Sequence, residues 1–98
     1  TTEALVQAFA PEDLLPAVAA GYPAMFLTGR DDAIGAARRA GVTWVGLDRR
    51  APDVVYDAWR EAGFRIVAWT VNSRVDRDRV LALGACGMFS DDPVSLMR

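Results

Sequence analysis

The sequence has 98 residues, which is room for one small domain and not for two. Apolar residues make up 52 % of it and charged residues 24 %, the balance of a globular chain and not of a disordered one. The net charge is −2 and the 11 basic residues, all arginine, are scattered, which excludes the clustered basic surface of a nucleic-acid binder. No run approaches the ~18 to 20 uninterrupted apolar residues of a membrane helix. The stretch TTEALVQAFAPEDL carries an early acid and no basic n-region, so it does not read as a signal peptide. The compartment stays open between the cytoplasm, which this favours, and a location reached with a leader already removed.

Along the chain, apolar runs alternate with amphipathic segments. The run at 4–9 (ALVQAF) reads as a strand, followed by a weak helix over 10–21 in which Ala10 is a poor cap and Pro16 should bend or shorten the element. The second strand is 24–28 (AMFLT). The helix over 30–41 has acids first, basic residues late and Gly41 at its stop, so Asp31 and Asp32 are expected to cap it. A third strand, 42–47 (VTWVGL), leads to the clearest helix, 51–63, in which Pro52 and Asp53 suit the first turn. Val55, Ala58, Trp59 and Ala62 form its apolar stripe. The fourth strand, 65–71 (RIVAWTV), precedes a helix over 73–84 that starts on Ser73 with Asp76 three residues on, similar to a capping box. The fifth strand is 86–90 (CGMFS).

The result is β-α-β-α-β-α-β-α-β, whose crossovers imply parallel neighbours. The continuous apolar runs suggest strands covered on both faces. Two architectures fit, an open doubly wound sheet or an arc of a (β/α)₈ barrel. No glycine-rich phosphate loop is present, and without lysine a P-loop is impossible. A closed barrel takes about 250 residues, so five strands would leave both edges open, and the chain reads as the later part of something larger.

The C-terminal third, GFRIVAWTVNSRVDRDRVLALGACGMFSDDP, resembles the end of glycerophosphodiester phosphodiesterases. The resemblance lies in Gly63, in Trp69-Thr70-Val71-Asn72, in Leu83-Gly84 and in Ser90-Asp91-Asp92-Pro93, where Ser90 replaces the family threonine. LVQAFAPEDL, AMFLTGR and VTWVGLDRRAPDVVYDAWREAGF are similar to the preceding units, with Ala8 and Ala10 in place of a family serine and aspartate. The resemblance implies that residues 1–98 are a single partial domain, the C-terminal arc of a TIM-type (β/α)₈ barrel holding five of the eight strands. It also implies hydrolysis of glycerophosphodiesters to glycerol 3-phosphate and an alcohol by the whole barrel, with a divalent metal, Mg or Ca, and with histidines as acid and base. This chain has no His and no Lys, so it is expected to bind no metal by itself and to be inactive alone. Its expected partners are the missing N-terminal half of the barrel, or a second copy meeting it through open sheet edges, and a small phosphodiester substrate. Neither nucleic acid nor a membrane span is expected. A non-catalytic binding or assembly module, and a small open α/β domain binding a phosphorylated ligand, are the alternatives.

Trp69, at a strand's C-terminal end, reads from position either as a core tryptophan or as a wall of the substrate site, and the resemblance favours the wall. Asn72 reads either as a donor to a substrate oxygen or, with Ser73, as a cap of the next helix, and capping is the favoured reading. Asp91 and Asp92, adjacent at a strand end, point in different directions and suit a turn better than a metal site. Asp48, Arg49 and Arg50 suit a solvated loop with local ion pairs, or a clamp on phosphate, and Arg30 is similar. Trp44, Trp59 and Phe9 read as packing residues, Phe9 alternatively as a pocket lining. Cys86 can form no internal disulfide and reads as a small buried residue, since no histidine exists to activate it.

Overall fold

Each of the five apolar runs becomes a strand in the computed structural model, which describes residues 6–89. The strands are β1 (Val6–Ala8), β2 (Ala24–Thr28), β3 (Trp44–Asp48), β4 (Arg65–Trp69) and β5 (Ala85–Met88). They form one sheet in the order β1-β2-β3-β4-β5, every pair parallel. Four connections carry α1 (Leu15–Ala19), α2 (Ile34–Arg39), α3 (Asp53–Glu61) and α4 (Arg74–Ala82).

The helices depart from expectation mainly at their starts. Pro16 shortens the first one as anticipated: a 3₁₀ turn, Pro11–Leu14, precedes a five-residue α1, and Ala10 makes no side-chain cap. Asp31 and Asp32 do not cap α2, which begins at Ile34 with no side-chain cap bond. Asp32 instead pairs with Arg30 at 3.1 Å, while the Arg30 amide donates to Thr28 Oγ1, so residues 28–32 form their own turn. For α4 the cap is Ser73, whose Oγ accepts from the Asp76 amide at 3.1 Å. At the far end of α3, Gly63 takes φ +89° and the Phe64 amide donates to the Trp59 carbonyl, which drops Phe64 into the core ahead of β4.

The core lies between the sheet and the helices. Ala24 and Phe26 of β2, Val45 and Leu47 of β3, and Ile66 and Ala68 of β4 pack with Leu14, Ala37, Val55, Tyr56, Trp59 and Val80. The alternate residues Met25 and Val67 are buried yet stand outside that core, on the opposite face. A doubly wound sheet would carry helices on both faces and a barrel arc on one; among the described residues helices lie on one face only, because strands that pair in chain order send every right-handed crossover to the same side. That excludes the doubly wound sheet and leaves the barrel arc. The thinnest extent, 18 Å, agrees with two layers.

Two expectations about buried residues are corrected. Phe9 is 73 % exposed, because β1 ends at Ala8 and Phe9 lies beyond the helix-covered core. Cys86 is exposed on the edge strand β5, where the register with β4 jumps from Ile66↔Ala85 to Val67↔Gly87. Cys86 is the residue left over in that bulge, and its thiol donates to the Ile66 carbonyl at 3.3 Å.

Trp59 is the largest fully buried side chain. Its ring meets Phe64 edge-on at 4.7 Å and Phe26 at 5.9 Å, and its Nε1 donates to the Arg30 carbonyl at 2.7 Å. Replacing Trp59 by Ala is expected to cost about 3–5 kcal/mol in urea unfolding. Trp59→Phe, which loses only the indole bond and some area, should cost about 1–2 kcal/mol. A Trp59→Ala protein with an unchanged midpoint would contradict this packing.

Candidate functional site

The site is built where β3 and β4 end side by side. Asp48 and Trp69 are register partners, and the Arg49 amide donates to the Trp69 carbonyl at 2.8 Å, so the two following loops leave the sheet as one rim. Between those loops opens a cleft of about 490 Å³ lined by Asp48, Arg49, Arg50, Trp69, Thr70, Asn72, Ser73 and Asp76.

The loop after β3 is fixed from below. The hydroxyl of buried Tyr56, on α3, donates to the Asp48 carbonyl at 2.9 Å. Arg79 of α4 donates to the carbonyls of Arg49 and Ala51 and to Asp53 Oδ1 at 2.8 Å, with its guanidinium over the Tyr56 ring. Carbonyls turned out of regular structure are thereby satisfied by charge-assisted donors. Burial pushes the Tyr56 hydroxyl pKa up to about 12, only partly opposed by the nearby Arg79 charge.

With the backbone held this way, the side chains of the loop face one another across the cleft. Arg49 Nη1 meets Asp76 Oδ2 at 3.0 Å, and Arg50 Nη2 meets Asp48 Oδ2 at 3.2 Å while its Nε reaches Oδ1 at 3.3 Å. Burial works to raise the Asp48 pKa. The Arg50 side-chain and backbone hydrogen bonds, with the Arg50 and Arg49 charges, outweigh it and hold Asp48 below the ordinary value of 3.8. Asp76 was read as half of a capping box; its carboxylate turns instead to Arg49.

Trp69 stands on the helix-free face. A methyl group placed on Gly46 would lie 3.2 Å from Trp69 Cδ1 and against Leu27 and Met25, so the missing side chain of Gly46 lets those three close over β3. The indole also borders an apolar groove lined by Gln7, Phe9, Leu27, Thr70 and Phe89. Its Nε1 is occluded and has no acceptor among the described residues.

The other sequence-predicted residues divide. Asn72 and Ser73 line the cleft, Ser73 doubling as the helix cap. Phe9 joins the groove, which is the pocket reading and not the core one. Trp59 is core, whereas Trp44 lies on the helix-free face with the Arg65 guanidinium 5.3 Å above its ring. Arg30 is a solvated loop residue. Ser90, Asp91, Asp92 and Pro93 lie outside the described residues. Among the described residues nothing fits the divalent metal that the resemblance implies for a whole barrel. Among the described residues no three His, Cys, Asp or Glu side chains converge, and Asp48 and Asp76 are each engaged by an arginine. Sequence reasoning missed Tyr56, Arg79 and Gly46. Tyr56 and Arg79 carry no local signal, since a helical tyrosine and arginine look the same whatever they touch. Gly46, a glycine inside an apolar strand, was a readable sign of close approach.

No protein-family model and no curated protein matches the sequence. Solved structures match its fold. A phosphodiesterase of Oleispira antarctica, in complex with the product sn-glycerol-3-phosphate, aligns with a TM-score of 0.80 at 15 % identity, over 95 % of this chain and 40 % of its own. A Silicibacter pomeroyi protein provisionally classed as a glycerophosphoryl diester phosphodiesterase aligns with a TM-score of 0.72 at 21 % identity, over 94 % of this chain and 35 % of its own. This chain has the fold of part of a glycerophosphodiester phosphodiesterase barrel. The helix-free face therefore corresponds to the concave side of the barrel arc, and the cleft to its strand-end mouth.

The two ionisable anchors set opposite limbs of a stability profile. Asp48 titrates lower folded than unfolded, so its contribution is present above pH 3.8 and is lost as pH falls through the folded value. Tyr56 titrates higher folded than unfolded, so its contribution is present below pH 10.0 and is lost as pH climbs through about 12. In denaturant midpoints measured against pH, Asp48→Asn should flatten the acid limb and Tyr56→Phe the alkaline limb. Unaltered limbs in both variants would remove these assignments.

Proposed function

We propose that this chain is the C-terminal arc of a glycerophosphodiester phosphodiesterase-type barrel and supplies its substrate-side wall, with Trp69 packed against the alcohol or glycerol part of the diester. The complete barrel hydrolyses a glycerophosphodiester to glycerol 3-phosphate and an alcohol, drawing its acid, base and metal-holding groups from the complementary half. The observation that carries this reading is the place of Trp69, at the strand ends on the helix-free face, where the charged cleft meets the apolar groove. An aromatic wall there packs on carbon and excludes water from the polar part of the ligand. The complement would pair with the open edges of β1 and β5 and cover Met25, Leu27, Val67 and Phe89.

Two measurements test this. The isolated chain should not hydrolyse glycerophosphocholine with added Mg²⁺ or Ca²⁺, whereas the assembled barrel should, and turnover by the pure chain would refute the division of labour. In the assembled barrel, Trp69→Ala should lower kcat/KM by roughly 10- to 100-fold, the worth of a lost apolar wall; full activity would sink the wall assignment. The alternative, a non-catalytic module that pairs with a second copy, draws on the same uncovered face, on which Phe9 and Phe89 are exposed. Sedimentation of the isolated chain separates the two, since a stable dimer supports self-assembly and a monomer counts against it.

A further inference from the structure

We propose that the strand-end cleft is a polyol subsite: it selects a neutral, polyhydroxylated alcohol group over a cationic or an anionic one. Its role as a leaving-group site rests on the phosphodiesterase reading; the binding preference does not.

The charge pattern argues for neutrality. Among the described lining residues, two arginines, Arg49 and Arg50, face two aspartates, Asp48 and Asp76, so the formal charges cancel. Each guanidinium is already engaged, at 3.0 Å and 3.2 Å. An anion entering between them meets two carboxylates, and a cation meets two guanidinium groups. A quaternary ammonium group would also want a cage of several aromatic faces, and among the described residues Trp69 is the sole aromatic one lining this cleft.

The same pattern suits hydroxyls. A hydroxyl donates and accepts at once, so it can accept from a guanidinium N–H while donating to the neighbouring carboxylate, without breaking the ion pair. These pairs are partly exposed, the Arg50 side chain 73 % so, which leaves donor and acceptor positions of both partners within reach of a ligand hydroxyl while the pairs stay closed. Thr70 and Ser73 add hydroxyls to the lining, and Trp69 offers an apolar wall for the C–H side of a polyol. The volume of about 490 Å³ suits a small ligand. The loop that carries Arg49 and Arg50 is also held in place, because Tyr56 and Arg79 bind its carbonyls without using either arginine side chain.

The test is an amide-resolved NMR titration of the full chain with myo-inositol, choline chloride and inorganic phosphate at matched ionic strength. Myo-inositol should shift the amides of Arg49, Arg50, Thr70 and Ser73 in a saturable manner, with choline and phosphate at least about fivefold weaker. Asp76→Asn should weaken the myo-inositol response by at least about threefold. Choline or phosphate binding as tightly at these amides, or no myo-inositol response there, overturns the proposal. In the assembled barrel, kcat/KM for glycerophosphoinositol should exceed that for glycerophosphocholine by about tenfold, and equal values overturn it too. A myo-inositol response in a barrel that hydrolyses no diester would leave the subsite standing and remove the phosphodiesterase reading instead.

Discussion

A parallel sheet whose strands pair in chain order carries its crossover helices on one side only. Everything else in this molecule follows from that constraint. The helix side becomes the core, with Trp59 and Tyr56 sealed beneath the strands. The other side receives no layer from the described residues, yet it carries Met25, Leu27, Trp44, Val67 and Trp69 and not the polar alternation of a solvated sheet. The strands are thus written for burial on both sides while the described residues provide cover for one. A fold matching 35–40 % of the length of larger barrel proteins accounts for that mismatch directly.

The mouth of the arc shows a division of labour between buried and exposed groups. Tyr56 and Arg79 come from the helices and hold the carbonyls of residues 48–51. The side chains of Asp48, Arg49 and Arg50 are left to face the cleft. Asp48 belongs to both sets, since its carboxylate also accepts the Arg50 amide at 2.9 Å and so helps to hold the loop. The side chains of Arg49 and Arg50 bind no carbonyl of that loop, so changing them can alter the cleft while Tyr56 and Arg79 keep its rim in place.

Trp69 joins two environments on the concave side. One flank belongs to a charge-balanced cleft and the other to an apolar groove, and Gly46 underneath permits the indole, Leu27 and Met25 to approach β3 together. An amphiphilic ring suits such a boundary, and a smaller side chain would leave the two regions connected by water.

Much of the architecture was legible in the sequence, because apolar periodicity, glycine stops and proline placement are local signals. The five strands and the parallel order were available that way, as was the cap at Ser73, while the choice of a barrel arc over a doubly wound sheet came from the resemblance. Trp69 stood out through its place at a strand end in Trp-Thr-Val-Asn. What stayed hidden depended on partners distant in the chain. Arg79 reaches carbonyls 28 and 30 residues away, and Asp76 abandons its own helix end for Arg49, 27 residues back. Whether Phe9 and Cys86 were core or surface was also beyond local pattern, since the sheet's edge and a one-residue register jump decide it. Sequence alone determined which segments are strands and helices; tertiary structure decided which side chains meet, because a side chain's partner is chosen by how the elements pack and not by its neighbours along the chain.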